Sequence, residues 1–271
     1  MKNKRPSVAH QQELIDYVLE LSSVKRKDVR FVILDGSTAE GKDRRYSDYD
    51  VSVVKKGSSG PKGPVQSLYA PTGLFRGRMV TGWLLDDESF KRYYIGTDDE
   101  QFVWRRRQLR KARLLFGDIK CFDRIMRPAL ARRWNRKRQF AVVRPSYVEM
   151  VEYLGKMLNK PGQAATPEFF QDGFIIATHA ALLVAALNKI DLDSDKIMYQ
   201  QVFAGAKVRP PNFERDFKIV SGLTDSSREK KAVVAASKRL VRWARERIKE
   251  SFEPGDPNDR GFWQLVRDMR F

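Results

Sequence analysis

Apolar residues recur along the N-terminal half of this chain in short runs of strand length. Four of these runs are bounded by polar or turn-forming residues, as strands are. The four runs are residues 29–34, 49–54, 65–69 and 78–85, the last two joined by a predicted turn at Pro71 and Gly73. Residues 10–23 have apolar positions at helical spacing and are predicted to cover the first strand. This half therefore predicts a mixed β-sheet with flanking helices.

The C-terminal half has apolar residues at the three-to-four-residue spacing of amphipathic and buried helices. We predict helices at residues 146–159, 167–190, 196–204, 212–220 and 226–250. Pro145 is predicted to end one element and Ser146 to cap the next, which sets a domain boundary there. The predicted fold class is mixed α+β, with a sheet domain in residues 1–144 and an α-helical bundle domain in residues 145–271.

Two aspartates stand at the head of the second predicted strand. Asp48 and Asp50 are two residues apart, so they project from one face of a strand. Two such carboxylates can hold a pair of divalent cations that clamp the attacking and leaving oxygens in phosphoryl chemistry. Gly36 and Ser37 follow the first strand, where close backbone approach and the start of a short helix suit a phosphate. An Asp-x-Asp pair alone is usually a solvated strand end, but the combination favours a nucleotide site.

The order strand, Gly-Ser, polar segment, Ser-Asp-x-Asp, strand resembles the signature of the DNA polymerase β-type nucleotidyltransferase superfamily. The resemblance implies that Asp48 and Asp50 bind two Mg²⁺ ions. It also implies a nucleotide-binding set made of Gly36, Ser37, Lys42 and Ser47. One departure is Asp35, an acid beside the glycine that is predicted to repel a triphosphate. Another is the strand at 78–83, which lacks the third carboxylate that many members of the superfamily carry.

Glu152 and Lys156 lie four residues apart, on one face of a predicted helix. Taken alone, such a pair is most often a surface ion pair that contributes about 0.3–0.5 kcal/mol. Nucleotidyl transfer needs a base for the acceptor hydroxyl and a cation near the phosphates, and this pair can supply both. Residues 152–156, Glu-Tyr-Leu-Gly-Lys, are similar to the Glu-Tyr-x-Gly-Lys of the kanamycin nucleotidyltransferase family. That resemblance implies that Glu152 is the general base, that Lys156 contacts the nucleotide and that the protein is a homodimer.

The chain carries a formal charge of +18, and most of it lies in residues 102–144. This region contains fifteen Lys and Arg residues against Asp118 and Asp123, and two basic helices are predicted there, at 97–113 and 118–140. The interleaved aromatic residues are Trp104, Phe116, Phe122, Trp134 and Phe140. This pattern is typical of nucleic-acid binding, and equally of a solvated basic face whose aromatics pack inward. The region predicts RNA or another anionic partner, with the solvated face as the alternative.

Cysteine and histidine content excludes several classes of site. The single Cys121 excludes an intramolecular disulfide, and only His10 and His179 accompany it, so a His/Cys zinc site is not expected. No apolar signal-peptide core follows the charged N-terminus, and the apolar stretch 174–187 is too short to span a bilayer. We therefore expect a cytoplasmic protein without a membrane segment.

These features together predict a Mg²⁺-dependent nucleotidyltransferase. It would transfer a nucleoside monophosphate from a nucleoside triphosphate, with ATP favoured, to the hydroxyl of an acceptor. The positive charge favours RNA or another anionic acceptor over a polycationic aminoglycoside. Two alternatives stay open: an aminoglycoside-type antibiotic nucleotidyltransferase, and a non-catalytic RNA-binding protein on a degenerate nucleotidyltransferase fold. Asp35 and the absent strand carboxylate suggest the second of these.

Overall fold

The structure, a computed structural model, describes residues 8–41, 47–57, 68–92, 102–160, 166–194, 197–254 and 259–269. The chain divides into two compact units, each discontinuous in sequence. The first, here called the sheet unit, comprises Met1–Thr97 and Arg105–Arg133. The second, the helical unit, comprises Asp98–Trp104 and Trp134–Phe271. The division thus lies before Trp134, about ten residues ahead of the predicted boundary between residues 144 and 145.

The sheet unit is built on five strands with helices before, between and after them. In chain order its elements are α1 (Val8–Leu21), β1 (Val29–Asp35), α2 (Gly36–Ala39), β2 (Tyr49–Lys55), β3 (Leu68–Phe75), β4 (Arg78–Asp86), α3 (Asp87–Phe90), α4 (Phe102–Lys111, whose first turn belongs to the helical unit), β5 (Arg113–Phe116) and α5 (Ile119–Ala131). The strand order across the sheet is β3-β4-β2-β1-β5. Neighbours are antiparallel except β2 and β4, which are parallel. The sheet is therefore mixed, as predicted.

Each face of the sheet has its own apolar core. On the face covered by α1, Val32 of β1 and Val51 and Val53 of β2 pack with Leu14 and Val18 of the helix. Successive strand residues point to opposite sides of the sheet. Because β1 and β2 are buried on both faces, their sequences are nearly continuous apolar runs.

The opposite face is covered by α5. Phe31 and Ile33 of β1 and Val54 of β2 pack there against Phe122 and Met126 of α5. The carboxylates Asp35 and Asp50 lie at the strand ends, beyond the apolar residues of this face.

The turn predicted at Pro71 and Gly73 is wrong, because β3 runs through both residues to Phe75. The chain instead reverses at Arg76 and Gly77, which have φ angles of 50° and 75°. Positive φ at both central residues is the requirement of a type I′ turn, whose twist matches the strands that it joins.

The basic region contains more elements than the two helices predicted for it. Strand β5 was not predicted; its four residues follow α4 and pair with β1. The predicted helix 118–140 is also wrong in extent, because α5 ends at Ala131 and the next helix starts at Arg136. Asn135 caps that helix by accepting a hydrogen bond from the backbone N–H of Arg138 at 2.9 Å.

The helical unit contains six helices in its described residues. They are α6 (Arg136–Asn159), α7 (Pro167–Leu187), α8 (Met198–Gly205), α9 (Phe213–Val220), α10 (Lys230–Ser251) and α11 (Arg260–Asp268). Helix α7 is central and packs against α6, α8, α9 and α10. The C-terminal segment docks on the same core, since Phe262, Trp263 and Val266 of α11 are buried there. The α+β fold class is therefore correct.

Helix α6 runs through Pro145, so the prediction that this proline ends an element is wrong. A proline inside a helix costs about 3 kcal/mol because it lacks an N–H donor and crowds the preceding turn. Val142 and Val143 before it and Tyr147 after it are all buried in the core. Burying a large apolar side chain contributes about 1.5–3 kcal/mol, so packing on both sides outweighs the local cost.

Among the described residues, α7 is the one helix long and apolar enough to cross a membrane by length and composition. Many of its apolar residues are instead buried by protein: Ile176, Ala181 and Val184 are fully enclosed by the other helices. The helix also carries a buried Asp172, whose carboxylate accepts a hydrogen bond from Lys160 at 2.6 Å. This is the environment of a core helix, and it gives no support to a membrane span.

In the helical unit a fully buried carboxylate pairs with a half-exposed arginine, and the loss of this pair should be measurable. Asp216 of α9 is fully buried, and Arg239 of α10 donates to its two carboxylate oxygens at 2.8 and 2.7 Å. We expect Arg239→Ala to lower the free energy of unfolding by about 3 kcal/mol, because a buried carboxylate loses its main partner. Lys218→Ala removes an exposed pair with Glu214 on α9 and should cost less than about 0.5 kcal/mol. Chemical denaturation measures both, and equal losses would contradict the assignment.

Candidate active site

Three strands place polar side chains at one end of the α5-covered face of the sheet. Asp50 of β2 is directly opposite Asp35 at the end of β1, and it is next to Thr81 of β4 on the other side. Asp48 precedes Asp50 by two residues and lies at the same strand end. Asp48 also accepts a hydrogen bond from the Thr81 hydroxyl at 3.4 Å. The two predicted metal ligands therefore stand together, where the apolar core of this face ends.

Gly36 is required by the position of Asp50. A Cβ atom added to Gly36 would lie 2.1 Å from Asp50 Oδ2, and the glycine has a φ of +70°, which other residues rarely adopt. The carboxylate thus lies over the bare backbone where β1 turns into α2. Ser37, the other half of the predicted phosphate site, is the second residue of that single helical turn. Its contact with phosphate stays a prediction.

The backbone beside Asp48 is held by two side chains that sequence reasoning missed. The Thr38 hydroxyl of α2 donates to the carbonyl oxygen of Asp48 at 2.7 Å and accepts from Arg78 Nη2 at 2.8 Å. Arg78, the first residue of β4, also donates through Nε to the Ser47 carbonyl at 2.6 Å. The arginine therefore ties the starts of β2 and β4 to α2. An arginine beside a turn is common on protein surfaces, so the sequence carried no sign of this role.

Tyr49 extends this network toward α1. The Arg78 guanidinium lies 4.1 Å from the Tyr49 ring centroid and donates to the tyrosine hydroxyl at 3.3 Å. His10 Nε2 lies 3.0 Å from the same hydroxyl. Burial, the Arg76 charge and, more weakly, the Arg78 charge lower the pKa of His10, against a smaller raising effect of Glu13. We infer that His10 is neutral near pH 7 and accepts the tyrosine proton, so that no second cation competes with Arg78.

The donor set at this end of the sheet suits Mg²⁺. Mg²⁺ is commonly held by one or two carboxylates, with water and substrate phosphates completing its coordination, and Asp48 and Asp50 supply the two. The position beside Asp50 on β4 is Thr81, in agreement with the absence of a third carboxylate there. In the described part of the chain, no group of three acidic, histidine or cysteine side chains is close enough to form a metal cluster. Asp35 and Asp50 face each other as like charges, which a nearby cation would offset.

The predicted Glu152–Lys156 pair exists on α6 of the helical unit, with Nζ and Oε1 2.7 Å apart. Both side chains are about half exposed, and Lys156 Nζ lies 3.9 Å from the Tyr153 ring centroid. The hydrogen bond to Glu152 is the main cause of a raised pKa for Lys156, with Coulomb attraction to Glu152 and a contribution from Tyr153 adding to it. Lys156 is therefore a cation at neutral pH, and Glu152 is the member of the pair that can accept a proton.

Gly155 lies between these two residues, inside the helix. An added Cβ at Gly155 would meet no atom of the described residues within 4 Å. Packing of the chain therefore does not require glycine here, although an interior glycine destabilises a helix by about 1 kcal/mol relative to alanine. The backbone of α6 is open to solvent at this point.

Lys42 and Ser47 are the two other residues predicted to contact the nucleotide. Lys42 lies outside the described residues. Ser47 directly precedes Asp48, and its carbonyl accepts the hydrogen bond from Arg78. The roles of both residues stay predictions.

No protein-family model matches the chain, and no curated protein matches it either. The crystal structure of a nucleotidyltransferase-like protein from Exiguobacterium sibiricum 255-15 is similar to this chain, with a TM-score of 0.48 over 95% of this chain and 87% of that chain. The two sequences are 9% identical. A TM-score below 0.5 does not assign this chain to a fold family.

The contact between Gly36 and Asp50 predicts an unequal response to two alanine substitutions. Gly36→Ala introduces a clash with the carboxylate as well as backbone strain, whereas Gly77→Ala, at φ +75° with no atom within 4 Å, introduces strain alone. We expect Gly36→Ala to lower the free energy of unfolding by about 1–2 kcal/mol more than Gly77→Ala does. Thermal denaturation of the two variants measures the difference. Equal losses would show that the carboxylate moves aside at no cost.

Proposed function

We propose that this protein is a Mg²⁺-dependent nucleotidyltransferase that moves a nucleoside monophosphate from a nucleoside triphosphate, ATP being favoured, to an acceptor hydroxyl. The observation that carries the proposal is the placement of Asp50 over the bare backbone of Gly36, with Asp48 fixed beside it. A short turn that leaves backbone exposed next to two carboxylates suits a triphosphate accompanied by divalent cations.

In this proposal Asp48 and Asp50 hold Mg²⁺, which when bound would neutralise charge on the triphosphate and on the leaving pyrophosphate. Gly36 and Ser37 contact the phosphates through backbone N–H groups, together with the predicted contacts of Lys42 and Ser47. Arg78 and Thr38 act indirectly, because they hold the backbone that carries Asp48. A preformed site of this kind lowers the free-energy barrier by reducing reorganisation during the reaction.

Glu152 is the proposed general base. It accepts the proton of the acceptor hydroxyl as the hydroxyl oxygen forms a bond to the α-phosphorus, and the bond from that phosphorus to the pyrophosphate oxygen breaks. Lys156 contributes positive charge to the nucleotide phosphates. The hydrogen bond to Glu152 raises the pKa of Lys156, so the lysine stays a cation, as its proposed contact with the phosphates requires.

The charge of the protein favours an anionic acceptor such as RNA. A polycationic aminoglycoside would be repelled by a chain with a formal charge of +18 unless acids clustered at its binding site. Thr81 beside Asp50 favours one rival, a non-catalytic RNA-binding protein on a degenerate nucleotidyltransferase fold. That rival would not bind Mg·ATP in a metal-dependent way, whereas the proposed enzyme should.

Transfer of label from α-labelled nucleoside triphosphates tests the activity directly. Wild-type protein with Mg²⁺ is offered total RNA, an aminoglycoside mixture, a protein extract or no acceptor. We expect Asp50→Asn to reduce transfer at least about a hundredfold, because a metal-binding carboxylate is lost while side-chain volume is kept. Asp268→Asn, an exposed acid on α11, is the matched control and should retain full transfer. Undiminished transfer by Asp50→Asn would refute the site, and absence of metal-dependent Mg·ATP binding by the wild type would favour the rival.

Gly155 allows a test in which stability and activity should change in opposite directions. Gly155→Ala should stabilise α6 by about 0.5–1 kcal/mol, since alanine is the better helix former and no described atom is in its way. If a substrate approaches the backbone between Glu152 and Lys156, the same methyl group should raise the KM for nucleotide or acceptor several-fold. Gly261→Ala in α11, also free of neighbours within 4 Å, is the control and should leave the kinetics unchanged. Higher stability with unaltered KM would place the substrates elsewhere.

A further inference from the structure

Helix α5 carries a stripe of positive charge on the side turned away from the sheet. Lys120, Arg124 and Arg127 are exposed, and their spacing places them within about 60° of one another around the helix axis. The stripe extends about 10 Å along the helix, at a rise of about 1.5 Å per residue. The apolar residues Phe122 and Met126 lie on the opposite side and pack on the sheet. We call these three cations the α5 stripe.

The cations of the α5 stripe make no ion pair or hydrogen bond through their side chains with any residue that the structure describes. The acid on the same helix, Asp123, is exposed and makes no ion pair with the stripe in this part of the chain. Elsewhere in the basic region the situation differs: Lys111 is bound to Glu40 at 3.1 Å, and both side chains are largely buried. The α5 stripe therefore stabilises no described internal contact, and its charge is available to a partner.

The aromatic side chains of the basic region are not available in the same way. Phe122 of α5 is buried between this helix and the sheet, and Phe116 packs against the core on the other face of the sheet. In the helical unit, Trp134 donates its indole N–H to Asp191 at 2.9 Å, and Phe140 packs against Phe262 and Trp263. These rings serve as core residues, which confirms the inward-packing interpretation of the aromatics. A ligand of this surface would be bound through charge and not by stacking of bases on these rings.

The α5 stripe also shares a side of the sheet with the candidate active site. The apolar side of α5 covers the face formed by Phe31, Ile33 and Val54, and Asp50 projects from the same face at the strand ends. Both features belong to the sheet unit, so α5 presents its cations from the scaffold that positions the carboxylates.

We propose that the α5 stripe binds the phosphate backbone of a single-stranded nucleic acid and thereby holds the acceptor of the proposed transfer. Each of the three cations can contact one phosphate of a strand that lies along the helix. Arginine and lysine are the side chains that contact phosphate oxygens, and such contacts carry no sequence information. That the bound strand is the acceptor rests on the proposed nucleotidyltransferase activity. Binding of a strand to the α5 stripe does not depend on that activity.

The test compares two triple variants with the same change of charge. In the first, Lys120, Arg124 and Arg127 are all replaced by Gln. In the second, Lys231 of α10 and Arg260 and Arg267 of α11 are replaced by Gln; these residues are also exposed and make no described ion pair. Fluorescence anisotropy measures the binding of a labelled oligouridine strand and an oligodeoxythymidine strand, each of about 20 nucleotides, at several KCl concentrations and without Mg²⁺ or nucleotide.

We expect the stripe variant to bind about tenfold more weakly at low salt. We also expect the slope of log K against log salt to flatten by about 2, since each phosphate contact to a single strand contributes about 0.7. The control variant should keep the wild-type slope. Equal binding of the two strands would assign the site to the shared phosphate backbone, and preference for oligouridine would assign it to RNA.

An unchanged slope in the stripe variant, or equal weakening in both variants, would overturn the proposal. So would displacement of the strand by polyglutamate at equal charge concentration, which would indicate an acidic protein as the partner. Asp50→Asn protein is measured in parallel and should bind the strands as the wild type does. Normal strand binding without label transfer by the wild type would count against the proposed enzyme and not against the α5 stripe.

Discussion

The carboxylate of Asp50 occupies the space that a side chain at position 36 would fill, and this close approach governs the polar end of the sheet. It requires a glycine with a left-handed backbone at the end of β1, which turns the chain directly into α2. That turn brings Thr38 to the carbonyl of Asp48. The absence of a side chain at Gly36 thus fixes the positions of the end of β1, helix α2 and the two carboxylates relative to one another.

The parallel pairing of β2 and β4 completes this arrangement. Because parallel strands start at the same edge of a sheet, Arg78 at the head of β4 lies within reach of the segment that leads into β2. Its guanidinium packs on the Tyr49 ring. A neutral His10 accepts the hydrogen bond of the tyrosine hydroxyl and adds no charge. The candidate site is therefore supported by neighbouring strands and α1, which gives it a rigid base on which charge can be placed accurately.

The sequence predicted those parts of the molecule in which local pattern and tertiary packing agree. Strands β1 and β2 and helix α7 were correct, because their apolar runs are buried along their length. The interruption at Pro145 was wrong because burial of its neighbours outweighs a local penalty, and β5 was missed because four residues between basic helices show no clear period. The motif selects Gly36 and Asp50, but it predicts neither their mutual contact nor the supporting Arg78. Its partners are brought to it only by pairing of strands that are distant in sequence.

The two aspartates, the glycine and the Glu152–Lys156 pair could all be selected as candidates from the sequence. Their chemical roles could not be derived in the same way, because a role depends on charge state and on what surrounds each group. The Glu152–Lys156 pair illustrates this, since only the structure shows that the two side chains bind each other at 2.7 Å and are both about half exposed. The aromatic residues of the basic region illustrate the converse, because burial removed a role that their spacing had suggested.

Strand β1 has β2 on one side and β5 on the other, yet β5 follows only after the hairpin of β3 and β4 and after a segment that belongs to the helical unit. During synthesis, at about 5–20 residues per second, one edge of β1 stays unpaired for several seconds until β5 has been made. An open edge of that kind can pair with another nascent chain. The discontinuous layout therefore leaves this edge open to such pairing until Phe116 has left the ribosome, and a chain broken off before that point would keep the edge open permanently.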